Sequence, residues 1–136
     1  MKIWVNGCFD ILHHGHLQML RYAGRLGDRL VVGIDSDSRV KELKGRDRPY
    51  HNETQRKFNL KQLKYVDKVI IYESEEMLEW NIRNEEPDVM VIGSDYKNKK
   101  IIGVDYIRKI HYFDRIENMS TTDILNHGNI YTEKSR

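Results

Sequence analysis

The chain has a single cysteine, Cys8, among its 136 residues. No internal disulfide can form, and the expected setting is a reducing cytoplasm. A leader is not expected either, because Met1 to Asn6 turns polar too quickly for a secretory signal. No apolar run approaches the roughly 20 residues that cross a bilayer, so no membrane partner is expected. A strong charge of one sign is also missing. The 23 Lys and Arg nearly balance the 21 Asp and Glu, leaving +2, which makes no case for a nucleic-acid surface. Repeats, low-complexity tracts and linkers are absent. Two Asn-x-Ser/Thr triplets, at Asn52 and Asn118, are chance matches in a cytoplasmic protein.

What is present is a globular composition, 39% apolar and 32% charged, in a length that suits one domain with one buried core. Short β-branched runs alternate with helical spacing. Ile3-Trp4-Val5 predicts a first strand, stopped at Asn6-Gly7, and a helix follows from Gly15 to Gly27. Leu30 to Ile34 is nearly continuous and apolar, as in a strand buried on both faces. The basic stretch from Asp35 to Asn52 shows no clear core face and is expected to be a functional loop. Further on, the pattern predicts a helix over 53–65, a strand over 66–72, a helix over 77–84 and strands over 88–92 and 109–113. Ser120 opens a last helix, and a polar tail fills 129–136. Alternating strands and helices imply right-handed crossovers. The expected fold is α/β, a Rossmann-like open parallel sheet of about five strands with helices on both faces, occupying residues 1–128.

Chemistry gathers where such strands end. Gly7-Cys8-Phe9-Asp10 leads into His13-His14-Gly15-His16 at the start of the first helix. A helix N-terminus offers unpaired N–H groups and about half a positive charge to a phosphate. His13 and His16 are three apart, so both rings reach the same side, and Gly15 leaves room for a close approach. Two other readings weigh less: plain helix-start residues, and a metal site of His13, His14 and His16, whose spacing is not that of structural zinc. No metal ligands are assigned to protein side chains, and His14 receives no role. The second cluster, Arg115 followed by Ser120-Thr121-Thr122, puts hydroxyls at another helix start. Capping alone explains one such pair. Two cradles in one short chain point to a polyphosphate.

These residues also carry a resemblance. His13-His14-Gly15-His16 has the H-x-G-H pattern of the cytidylyltransferase-like nucleotidylyltransferases, which are related to class I aminoacyl-tRNA synthetases. Arg115 to Thr122 is similar to R-T-E-G-I-S-T-T, with Ile116, Asn118 and Met119 departing from it. The likeness runs from Lys2 to about Asn126. Glycerol-3-phosphate cytidylyltransferases share Gly7-x-Phe9-Asp10, Arg115, Glu117 and Ser120 to Thr122. Heptose-1-phosphate adenylyltransferases share Phe9 to His13, Lys44-Gly45, Arg48-Pro49, Gln55-Arg56 and Gly93-x-Asp95-Tyr96. Both branches stay open at this stage.

The resemblance implies transfer of CMP or AMP from Mg²⁺-bound CTP or ATP to a small sugar or polyol phosphate, with pyrophosphate released. His13, His16, Lys44 and Arg115 would be catalytic. Cys8, Phe9, Gly15, Asp37, Gly93, Asp95, Ser120, Thr121 and Thr122 would hold the nucleotide. Asp10, Lys41 and Arg56 would hold the acceptor. A homodimer is implied as well. The competing reading is a nucleotide-binding regulator that keeps the pocket without turnover.

Overall fold

The computed structural model describes residues 1–94 and 97–114. Five strands and four helices follow one another as β1 (Lys2–Gly7), α1 (His14–Leu26), β2 (Arg29–Asp35), α2 (Asp37–Lys44), α3 (Glu53–Lys61), β3 (Lys68–Tyr72), α4 (Glu75–Glu85), β4 (Val89–Gly93) and β5 (Lys109–Phe113). The strands form one sheet in the order β3-β2-β1-β4-β5, and every pairing is parallel. The expected last helix from Ser120 and the tail lie outside the described residues.

Side chains alternate across a strand, so each central strand feeds two cores. Ile3, Val5, Leu30, Val32, Val89 and Val91 face α1 and α3, where they meet Leu20, Ala23 and Leu60. Trp4, Val31 and Met90 face the other way, against Leu78 and Ile82 of α4. Helices therefore cover both faces, which is why these strands read as continuous apolar runs.

The stretch 35–52 departs from expectation. It is not all loop, because α2 occupies 37–44. Ser36 caps this helix by accepting from the Arg39 N–H at 3.2 Å, and Val40 is the residue it buries. A two-turn helix with one core residue leaves no periodic signal.

The two edges of the sheet differ in character. At the strand starts, Asp88 Oδ2 accepts from Lys2 N at 2.8 Å and Asp67 Oδ2 from Leu30 N at 2.7 Å. Glu85 is buried there between Lys68 (2.6 Å) and Lys2 (3.3 Å). Burial pushes its carboxyl up, but the bonds from the two lysines outweigh this and hold it below the usual range. That edge is stitched shut, whereas the strand ends are left to the loops. No described helix is long and apolar enough to cross a membrane.

Gly33 lets β2 pass beneath two aromatic rings. A Cβ there would lie 2.7 Å from Trp4 Cζ2 and 3.2 Å from Tyr72 Cε1. Gly33→Ala should therefore cost about 1–3 kcal/mol by overpacking, read as a lower midpoint in urea unfolding. An unchanged midpoint would mean that the two rings yield freely.

Candidate functional site

The connections leaving β1 and β4 run to opposite sides, and a parallel sheet opens a crevice at that switch point. A cleft of about 730 Å³ lies there, lined by Asn6 to Ile11, His13, His16, Asp35, Arg39, Lys44, Arg48, Tyr72 and Gly93, among others. This size suits a small-molecule site.

The entry to α1 is built residue by residue. Phe9 sits at φ 49°, in the left-handed region that a bulky residue rarely adopts. Its ring is buried and meets the His16 ring edge-on, with centroids 5.1 Å apart. A backbone held in this way at a ligand cleft is a recurrent feature of functional sites. His13 is the N-cap of α1, and its Nδ1 accepts from Gly15 N at 3.1 Å and His16 N at 3.4 Å. The His13 and His16 rings stack with centroids 3.6 Å apart and planes 23° apart. Both therefore face one side, as their spacing implied. A Cβ at Gly15 would come within 3.0 Å of His13 Cε1, so the glycine makes room for the His13 ring itself.

Two residues expected to hold the acceptor, Arg56 and Asp10, are bonded within the protein, and Asp10 also lines the cleft. Arg56 is 0% exposed. Its Nε donates to His51 O (2.9 Å), Nη1 to Cys8 O (3.0 Å) and Asp35 O (2.7 Å), and Nη2 to Asp37 Oδ1 (2.9 Å). The guanidinium is spent on the protein and does not line the cleft. Asp10 is 6% exposed, and accepts from Tyr50 N and His51 N, both at 2.9 Å, and from Arg48 Nε at 3.2 Å. Burial raises its carboxyl, but these three donors outweigh that and hold it below the ordinary value. An ionised Asp10 thus fixes the loop carrying Arg48 beside the cleft.

Asp37 and Lys41 likewise have partners within the protein. The Asp37 carboxylate pairs with Arg56 and Lys41 Nζ donates to Arg48 O at 3.1 Å. Neither lines the cleft. The physical reason is shared, since a charged group near a loop's own carbonyls and charges is satisfied locally.

Lys44, at the last position of α2, does line the cleft, as do Cys8, Phe9 and Gly93. Burial pushes the Cys8 thiol up, so it is a neutral wall group. Asp95, Arg115, Ser120, Thr121 and Thr122 lie outside the described residues. Sequence reasoning missed Arg48 as a wall residue, and it missed Asp35, Arg39 and Tyr72. Asp35 and Tyr72 are the last residues of β2 and β3, so the strand-end rule could have found them. Among the described residues, no group of three or more His, Cys, Asp or Glu is placed to hold a metal.

A family model described as cytidylyltransferase-like matches residues 4–127. The chain belongs to the cytidylyltransferase-like family. Membership makes the domain a nucleotidyltransferase by class. Curated relatives include the bifunctional protein HldE of Campylobacter fetus, 43% identical over 91% of this chain, and that of Helicobacter pylori, 42% identical over 90%. The chain spans only about a quarter of their lengths, 27% and 26%. A lipopolysaccharide core biosynthesis protein from Thermoplasma volcanium is 30% identical, with a TM-score of 0.67 over 88% of this chain and 98% of its own.

Two outcomes follow from the buried network. Arg56→Ala should cost at least about 3 kcal/mol, since it strands several buried acceptors at once. Chemical denaturation measures this, and a loss under about 1 kcal/mol would show that water replaces the guanidinium. Asp10 has a depressed pKa in the fold, so its stabilisation is present above the unfolded value of about 3.9 and is lost as pH falls through the folded one. The stability gap between wild type and Asp10→Asn should therefore shrink from about pH 5 downward. A gap constant to pH 2 would contradict an ionised Asp10.

Proposed function

We propose that this domain transfers a nucleoside monophosphate from an NTP to the phosphate of a small sugar phosphate, releasing pyrophosphate. The observation that carries this is the state of His13. Because Nδ1 accepts from two backbone amides, the neutral ring carries its proton on Nε2. His13 is therefore a hydrogen-bond donor beside a helix N-terminus, suited to developing phosphate charge and unsuited to act as a base.

No base is needed. An oxygen of the acceptor phosphate, already ionised near neutral pH, forms the new bond to the α-phosphorus. The bond from that phosphorus to the bridging oxygen breaks, and its electron pair leaves on pyrophosphate. The chain's task is to align these groups and spread their charge. His13, His16, Lys44 and Arg48 serve it from the described walls, and Arg115 with Ser120 to Thr122 is proposed to serve it from beyond them. Mg²⁺ enters as part of the NTP complex, held by phosphate oxygens.

Of the two branches, the sugar-phosphate adenylyl branch has the better support. Lys44 and Arg48, which belong to its pattern, line the cleft. The Thermoplasma neighbour's part in lipopolysaccharide core biosynthesis fits a glycosyl acceptor. The proposed setting is the cytoplasm, and the proposed assembly is a homodimer.

Pyrophosphate release with Mg²⁺, crossing ATP and CTP with heptose 1-phosphate and glycerol 3-phosphate, tests the proposal. Release is expected with ATP and the sugar phosphate. NTP binding without release from any pair would overturn it in favour of a regulator. His13→Ala should lower kcat by roughly 10²–10³-fold. His13→Asn, which keeps a capping oxygen, should fold normally yet stay slow. Normal turnover in either variant would remove His13 from the chemistry.

A further inference from the structure

One wall of the cleft is not used by the transfer step. It lies over the ends of β2 and β3, away from the histidines. Asp35 Oδ1 accepts from Arg39 Nε at 2.8 Å, and both side chains are largely buried at 13% and 16% exposure. Arg39 is fixed twice more. Its N–H is bonded to the Ser36 cap, and its guanidinium carbon lies 5.8 Å from the centre of the Tyr72 ring. Its Nη edge makes no hydrogen bond among the described residues, and Arg39 lines the cleft. Beneath it, Trp4 Nε1 donates to Asn6 Oδ1 at 2.9 Å, and Asn6 Nδ2 reaches the Tyr72 hydroxyl at 3.5 Å. Burial and the nearby Asp35 push the Tyr72 phenol far up, so it remains a neutral O–H. Glu75 joins this wall from the start of α4, with Leu78, Ile92 and Ile101 beside it.

We propose that Asp35 and Arg39, backed by Tyr72 and Glu75, select the acceptor by reading the hydroxyls of its carbon skeleton. This rests on the transfer reaction proposed above. The charges decide the ligand class. Arg39 is neutralised by Asp35, so the wall is a poor site for a second phosphate. It offers fixed planar donors and acceptors, an aromatic ring and apolar patches, which suit a neutral polyhydroxylated chain or ring. Length decides the size. The ends of β1 and β3 are two strand spacings apart, about 10 Å. With C–C bonds of about 1.5 Å, a three-carbon acceptor held by its phosphate at the histidine end stops short of Tyr72 at the end of β3. A six- or seven-carbon sugar phosphate reaches it.

The test compares wild type, Arg39→Ala and Asp35→Asn, the last preserving shape, after confirming their folding by urea unfolding. In pyrophosphate release with a hexose or heptose 1-phosphate, both variants should raise the acceptor KM on the order of 10–100-fold, the worth of a charge-assisted hydrogen bond. The NTP KM should stay level. Deoxy-sugar phosphates should be poor acceptors for wild type but little worse than the parent sugar phosphate for Arg39→Ala, because the discriminating partner is gone. An unchanged acceptor KM, or an equal rise for NTP and acceptor, overturns the assignment. Calorimetric titration with the sugar 1-phosphate separates the two proposals. Should wild type release no pyrophosphate, the transfer reading falls. Sugar-phosphate binding abolished by Arg39→Ala would still support the wall's role, and no binding by wild type would overturn it.

Discussion

The cleft exists because one buried arginine holds four pieces of chain together. Arg56, on α3, bonds the carbonyl that follows β1, the carbonyl that ends β2, the carboxylate that starts α2 and the carbonyl that precedes α3 itself. Backbone carbonyls turned away from the sheet at its carboxyl edge would otherwise need water. A planar guanidinium with five donors meets several of them at once, which a lysine's compact ammonium cannot do. The strain at Phe9, with φ 49°, is tolerable because the next carbonyl back is anchored in this way. Asp10 extends the same device with a carboxylate. It gathers two amides and Arg48 from a loop some 40 residues away, so the cation reaches the cleft on a fixed arm.

This division of labour explains what the sequence revealed. The sheet was legible because central strands buried on both faces give nearly unbroken apolar runs, and because glycines bracket α1. The histidine pair was legible because three-residue spacing at a helix start has one geometric outcome. The internal partners of Arg56, Asp10, Asp37 and Lys41 were not legible. A charged residue near a binding motif has the same signature whether it faces ligand or carbonyl, and only the fold says which oxygen arrives first. Helix α2 was hidden for a different reason. Eight residues with one buried valine carry too little periodicity to stand out from a basic loop.

The residues that reasoning from motifs overlooked share a location. Asp35 and Tyr72 each close a strand, and Arg39 follows Asp35 by four positions, the spacing that lets an acid and a base meet across one helical turn. None belongs to a sequence pattern for nucleotide binding. Placing side chains by topology recovers them, since the ends of neighbouring parallel strands must line the same crevice.

Near-neutral net charge and the proposed site for a polyphosphate look contradictory until the charges are sorted by partner. Glu85 is matched with Lys2 and Lys68 at the closed edge, while Arg56 pairs with Asp37, Arg48 with Asp10 and Arg39 with Asp35. Lys44 makes no ion pair among the described residues and stands at the cleft wall. The oriented dipoles at the start of α1 add positive potential without any formal charge, and His13 adds a neutral N–H donor. Oriented amides, a neutral imidazole and cations held in place stabilise spreading charge with little reorganisation.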